Sequence, residues 1–367
     1  MTESARRSLA GWLTLVCGLI VFMVVFGGYV RLTRSGLSIV EWNVISGVIP
    51  PIGHEAWQAE FAKYQQTPEF QKVNSSMTLA EYKQIFYVEF IHRLVARLAG
   101  LIVTIPLLVF LWRGVLTWRQ SGRYWLMIIL FGVQGFMGWY MVSSGLVDRP
   151  AVSHFRLTLH LVLALLLLGL AFWMTLTLRR APSQPTSVLT GWPIWLSRLM
   201  IAALVVQIAY GGLVAGLKAG HVSDTWPRMF GYLVPPGLLS VVQPWWRNLI
   251  ETMPTVHFVH RWFAFGVLLA IIAVWGAVRR RADRQSAMPA VRLALLLVCL
   301  QITLGVSVVW FHVAVALALL HQATALLLYL AVLNVHFQLT HLPQTLPATE
   351  VQALTARPTR VSGHSVV

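Results

Sequence analysis

Apolar runs of roughly twenty residues, the length that spans a bilayer, alternate with shorter polar connections along most of this chain. They fall near residues 12–30, 86–111, 124–143, 157–177, 194–217, 257–278, 291–310 and 314–336. At 1.5 Å rise per residue, each can cross a hydrocarbon layer about 30 Å thick. Lipid offers backbone amides and carbonyls no partner, so each run is predicted to be an α-helix. The expected fold is an all-α integral membrane protein with eight transmembrane helices. The first run lacks a convincing small-residue cleavage site and is read as a retained span.

The pattern repeats once. Span one ends GGYVRLTRSGLSIVEW (27–42) and span five ends GGLVAGLKAGHVSDTW (211–226). Aligned on Gly27 and Gly211, Arg34 meets Lys218, Gly36 meets Gly220 and Trp42 meets Trp226. Pro50–Pro51 and Pro235–Pro236 follow. Gln134 and Gly138 in span three match Gln301 and Gly305 in span seven, and His92–Arg93 matches His260–Arg261. Four spans per half keep both halves in one orientation. The expectation is two pseudo-symmetric four-helix bundles, residues 1–183 and 184–340, followed by a poorly ordered tail at 341–367. The first outer connection, 43–85, is longer and more charged than its counterpart at 227–256, and both are read as loops.

Composition fits this picture: 57% of the 367 residues are hydrophobic and 11% charged, with mean hydropathy +0.70. The net charge of +16 would suit a nucleic-acid binder, but its placement does not. Arg6, Arg7, Arg113, Arg119, Arg123, Arg179, Arg180, Arg279, Arg280, Arg281, Arg284, Arg292, Arg357 and Arg360 occupy the termini and every second connection. Glu41, Glu55, Glu60, Glu69, Glu81, Asp148, Asp224 and Glu251 occupy the other set. The positive-inside rule puts both termini in the cytoplasm, or in the matrix of a mitochondrion. The basic loops are free to meet anionic lipid headgroups, and no nucleic acid is expected. Cys17 and Cys299 lie in separate spans and are read as packing residues.

Each even-numbered span carries one histidine near its outer end: His92, His160, His260 and His321. Ionisable groups in a bilayer are costly and generally functional. A pair of facing imidazoles in each half can hold a planar haem. Zinc and copper also accept imidazole, but no further Cys, Asp or Glu completes a tetrahedral set. Arg93, Arg97 and Arg261 stand beside these histidines, where a guanidinium can pair with a haem propionate or snorkel to headgroups. His154 and His312, at the outer junctions, are read as groups tuning a site rather than as ligands, and His257 as a neighbour of His260. Glu89 stands three residues before His92, where the second half has His257. A carboxylate there can shuttle protons or merely pair with arginine. The asymmetry suggests that one half does chemistry and the other holds a permanent haem.

The stretches GGYVRLTRSGLSIVEWNVISGVIPP (27–51), EFIHRLVARLAG (89–100), HFRLTLHL (154–161), HFVHRWFAFG (257–266) and LLHQATALL (319–327) together resemble the haem A synthase family. The long first outer loop resembles its mitochondrial and alphaproteobacterial branch. The resemblance implies an oxidoreductase that converts a methyl group of haem O to the formyl group of haem A through a hydroxymethyl group and a geminal diol. It implies substrate haem O at His92 and His160 with Glu89 as the catalytic carboxylate, and a permanent haem b at His260 and His321. It further implies haem O synthase and the cytochrome oxidase assembly machinery as partners, an electron donor of unknown identity, and a bacterial or mitochondrial inner membrane. A homo-oligomer is compatible with it. One departure matters: some bacterial members carry an outer-loop cysteine pair, and this chain has none there. Two other readings stay open on the residues alone, a di-haem cytochrome b-type electron carrier and a proton-coupled transporter.

Overall fold

The structure is a computed structural model that describes residues 2–43, 46–147, 150–180 and 191–341. Asp148 and the tail from residue 342, including Arg357 and Arg360, lie outside the described residues. Eleven α-helices are present among them: α1 Glu3–Leu32, α2 His54–Gln65, α3 Pro68–Lys72, α4 Leu79–Trp112, α5 Gly122–Ser143, α6 His154–Arg179, α7 Trp192–Leu217, α8 Asn248–Glu251, α9 Met253–Arg279, α10 Met288–Trp310 and α11 Val315–Thr340. Eight of these are long and apolar enough to cross a membrane: α1, α4, α5, α6, α7, α9, α10 and α11. Each coincides with a predicted span. The largest extensions are at the starts of α1 and α4, where a Thr2 cap and a Thr78–Glu81 capping box begin the helix before the apolar run does.

Four helices form the centre. α1 packs on α6, α6 on α7, α7 on α11, and α11 on α1. The others lie outside them: α4 on α1, α5 on α4 and α6, α9 on α7, and α10 on α9 and α11. One continuous apolar core runs through all eight, from Leu9 and Leu13 through Leu167, Leu168 and Met200 to Val332 and Leu339. The outward faces carry Leu101 and Ile105, Ile129 and Phe136, and Leu296 and Leu300, all exposed in the isolated chain. Such residues suit lipid contact, where no water penalises them. Cys17 is buried, Cys299 is exposed, and both are free thiols.

Arginines tie the basic end together. Arg6 donates to the Arg180 carbonyl at 2.5 Å and Arg179 to Thr14 Oγ1 at 3.0 Å. At the opposite end Arg31 donates to the carbonyl of Ala215. The chain leaves both α1 and α7 through a left-handed residue, Arg34 (φ 54°) and Lys218 (φ 56°), which are the two positions matched in the repeat.

The first outer connection corrects the expectation of a loop. It folds into α2 and α3, which clamp the outer extension of α4 through Trp57, Tyr64, Tyr82, Phe86 and Phe90. Trp57 meets Phe86 edge-on at 5.0 Å, and Tyr64 stacks on Tyr82 at 5.0 Å. The second outer connection carries no such layer. The buried Asn248 organises it instead, donating to the carbonyls of Leu239, Val242 and Trp245 and accepting from the Val242 amide.

Candidate haem-binding sites

Four imidazoles, on α4, α6, α9 and α11, each set a ring edge against a glycine of a neighbouring helix. A Cβ on Gly27 of α1 would stand 3.2 Å from His92 of α4, and one on Gly138 of α5 would stand 3.3 Å from His160 of α6. In the other half, Gly211 of α7 would meet His260 of α9 at 3.2 Å, and Gly305 of α10 would meet His321 of α11 at 3.0 Å. These glycines are needed for the side chain they lack, since real Cβ contacts are seldom that tight. His92 and His160 are the corresponding two imidazoles of the first half, on α4 and α6. The rings of His260 and His321 are 6.3 Å apart and inclined at 80°. All four residues remain half-buried.

A glutamine one turn before the glycine reaches the ring edge in three of the four cases. Gln134 Nε2 lies 3.4 Å from His160 Nε2, Gln207 Nε2 lies 3.2 Å from His260 Nδ1, and Gln301 Nε2 lies 3.2 Å from His321 Nε2. Gln134 and Gln207 also donate to the backbone carbonyl of the same histidine, at 3.2 and 2.9 Å. The sequence repeat shows Gln134 and Gln301 but misses Gln207. The same four-residue spacing ahead of Gly211 is the signal that would have found it.

Above each pair the outer loop is strapped down by an arginine. Arg93 donates to the carbonyls of Glu41 and Ile39, both at 3.0 Å, and lies over Trp42. Arg261 donates to the carbonyls of Thr225 and Ser223, at 2.8 and 3.0 Å, and lies over Trp226. The two straps occupy matched positions of the repeat. Both guanidiniums, read from sequence as groups that pair with a propionate or snorkel to headgroups, donate here to backbone carbonyls of the loop. Arg97 does the same for the longer first loop, donating to Asn43 O at 2.8 Å.

The residue one turn before each arginine is where the halves differ. Glu89 is 2% exposed. Its Oε1 pairs with Arg93 at 2.7 Å, and its Oε2 accepts from the Ser38 amide, the Ser38 hydroxyl and the Ile39 amide at 2.8, 2.7 and 2.9 Å. This is a saturated, charge-assisted carboxylate site. His257 in the second half accepts only from Arg261 Nε, at 3.1 Å, and its buried Nδ1 has no hydrogen-bond partner.

Three further histidines among the described residues have other partners. His312 Nδ1 lies 3.8 Å from Asp224 at the exposed outer surface. His154 begins α6 and packs on Phe155 and against Gly216. His336 bonds Ser197 Oγ at 2.7 Å near the basic end, joining α11 to α7.

These residues fit a haem. Two imidazoles bound to one metal ion at roughly 2 Å each, through nitrogens about 1 Å from the ring centre, place their centroids about 6 Å apart. The 6.3 Å separation of His260 and His321 meets that spacing. His160 Nδ1 and His321 Nδ1 are buried without a partner, so ring nitrogens remain to be satisfied. Among the described residues no three His, Cys, Asp or Glu side chains gather to hold a metal ion. The donor set is two imidazoles at a time, flanked by apolar helix, and these residues would suit a haem.

A family model described as cytochrome oxidase assembly protein, COX15-CtaA, matches residues 10–333. The chain is 42% identical over 339 residues to a protein of Nitrosospira multiformis named "Heme A synthase", covering 92% of this chain and 94% of that one. It is 42% identical to one of that name in Bradyrhizobium diazoefficiens, covering 89% and 91% of the two chains. The like-named protein of Paramagnetospirillum magneticum is 41% identical, covering 89% and 92%.

Proposed function

Because this chain belongs to the COX15-CtaA family of cytochrome oxidase assembly proteins, we propose that it is a haem A synthase, a membrane oxidoreductase that converts a methyl group of haem O to the formyl group of haem A. Two hydroxylations of that carbon, each replacing a C–H by C–OH at the expense of an external oxidant that supplies the oxygen atom, give first an alcohol and then a geminal diol, which loses water to leave the aldehyde. The chain is organised as two pseudo-symmetric four-helix bundles. α1, α4, α5 and α6 (residues 1–183) form the substrate half, and α7, α9, α10 and α11 (residues 184–340) form the half that holds a permanent haem b. The closed circuit of helix contacts within each set supports this division. The observation that carries the function is the pair of imidazoles 6.3 Å apart, His260 and His321, which would hold a haem between them, with His92 and His160 at the matching positions of the repeat.

Haem b, when bound, supplies one-electron redox chemistry between a donor and the substrate half. The protein supplies the rest. His260 and His321 hold the permanent group; His92 and His160 hold the substrate. Glu89 is held by Arg93 and by the Ser38–Ile39 strap. The Ser38 hydroxyl on its Oε2 gives this carboxylate a proton-bearing neighbour at the edge of the substrate site. The second half has no counterpart, since His257 replaces the acid and Val222 stands at the position of Ser38. The straps of Arg93, Arg97 and Arg261 close the outer side over both sites, so that an apolar substrate enters from lipid or a membrane-bound partner. The arginine-rich end faces the cytoplasm of a bacterium, across its inner membrane, or the matrix of a mitochondrion. Haem O synthase and the cytochrome oxidase assembly machinery are the partners this role requires.

The near-equivalence of the Gly–His contacts in both halves favours one second reading, a di-haem electron carrier. Extraction and identification of haems from the full-length protein, purified from cells that make haem O, separates the two. Haem b with haem O or haem A is the expected result. Haem b alone, at two per chain, overturns the synthase reading.

A further inference from the structure

The four imidazoles are seated alike but not held alike. On α5, α7 and α10 the helix that offers the glycine also offers, four residues earlier and therefore on the same face, a glutamine whose amide reaches the ring: Gln134, Gln207 and Gln301. On α1 the residue four before Gly27 is Met23. The rings of His92, His260 and His321 all interact with the main chain at this place, at Met23, Gln207 and Gln301 respectively. The glycine floor is also kept under His92, at 3.2 Å. What α1 lacks is the side-chain amide. A thioether is a weak hydrogen-bond acceptor with no hydrogen to donate, and it is among the most adaptable of apolar side chains.

From this difference we propose that Gln134, Gln207 and Gln301 are positioning residues that fix the rotation of three histidine rings, and that Met23 leaves His92, which touches Phe26 and the main chain but no side-chain amide, the easiest of the four to turn. This rests on the haem reading above and deepens it. A haem that only carries electrons is best served by two rings held still. A substrate half that must also admit an oxidant needs one axial side that yields. The amide contacts sit where dielectric screening is weak, so their loss registers at the ring they hold. His160, on the opposite side of the first half, keeps its glutamine, so the asymmetry singles out the α1 side of that site.

The test uses the full-length protein in detergent micelles, prepared from cells supplying haem O, with haem b content and helical circular dichroism as folding controls. Gln207→Met and Gln301→Met are expected to shift the low-temperature EPR g values of the oxidised haem b away from those of the unmodified protein. If one of them does not accumulate, the other reads the same haem from its opposite face. Carbon monoxide, added after reduction, probes the substrate half. The unmodified protein and Met23→Leu are expected to bind it, and Met23→Gln to bind it roughly two- to tenfold more weakly, the range one added hydrogen bond supplies. Unchanged g values in both glutamine variants overturn the positioning role. Equal carbon monoxide binding by Met23→Gln and Met23→Leu, or none by the unmodified protein, overturns the mobility of His92. A preparation with no haem b at all would instead contradict the function proposed above, leaving the two failures distinguishable.

Discussion

At the scale of single residues, the site is defined by what is missing as much as by what is present. Gly211 leaves 3.2 Å between its absent Cβ and the ring of His260. Gly211→Ala must push that ring, and it is expected to lower haem b content well below that of Gly266→Ala. At Gly266 the nearest heavy atom lies at an ordinary 3.8 Å; haem extracted per mole of protein checks this. Glu89 is filled by four hydrogen-bonded contacts, so Glu89→Gln removes a charge while keeping the shape. It is expected to leave haem b in place and abolish haem A formation. Normal haem A from that variant would remove Glu89 from the chemistry. Glu69, on α3 outside the membrane, is 5% exposed, with one oxygen unpaired. Burial, reinforced by the Glu89 charge, pushes its carboxyl up to about 7. A folded value above the unfolded one means that its contribution to stability is full below about 4.5 and is lost as pH rises through about 7. Glu69→Gln should therefore flatten the pH dependence of outer-cap stability between those limits. Hydrogen exchange in α2 and α3 is the readout, and an unchanged slope would contradict it.

At the scale of elements, lipid made the eight spans easy to read, because a backbone crossing a bilayer has one solution. The histidines, arginines and Glu89 stood out because polar groups are rare in such spans. Direction was harder to see. In sequence Arg93 and Arg261 can serve a propionate or the headgroups, and the structure adds contacts to loop carbonyls that the sequence did not show. The carbonyls they serve carry no side-chain signature. α2 escaped because its helix lies outside the apolar runs, although Trp57, Phe61 and Tyr64 at helical spacing mark its buried face. The Asn248 hub was not legible, since its partners are backbone groups too. The strap argument makes its own prediction. Lysine cannot span two carbonyls and a ring nitrogen as a guanidinium does. Arg261→Lys is expected to speed amide exchange across residues 222–226 without disturbing residues 38–43, whereas equal protection in both proteins would show that the strap does not depend on the fork.

At the scale of the whole molecule, one motif occurs twice: a glycine of one helix set against the histidine of its neighbour. The central helices α1, α6, α7 and α11 bring the halves together. Gly28 of α1 packs against Gln322 of α11, and Gly212 of α7 against Thr158 of α6. In each glycine pair, one member thus faces its own half's histidine and the other faces the opposite half. That arrangement packs the helices carrying the two histidine pairs directly against one another. The division of labour is the central claim, and haem b content in paired histidine variants tests it most directly. His260→Ala with His321→Ala is expected to lose haem b and all haem A formation. His92→Ala with His160→Ala is expected to keep haem b and lose only haem A formation. Loss of haem b from the His92 and His160 variant, with retention in the other, would contradict the account.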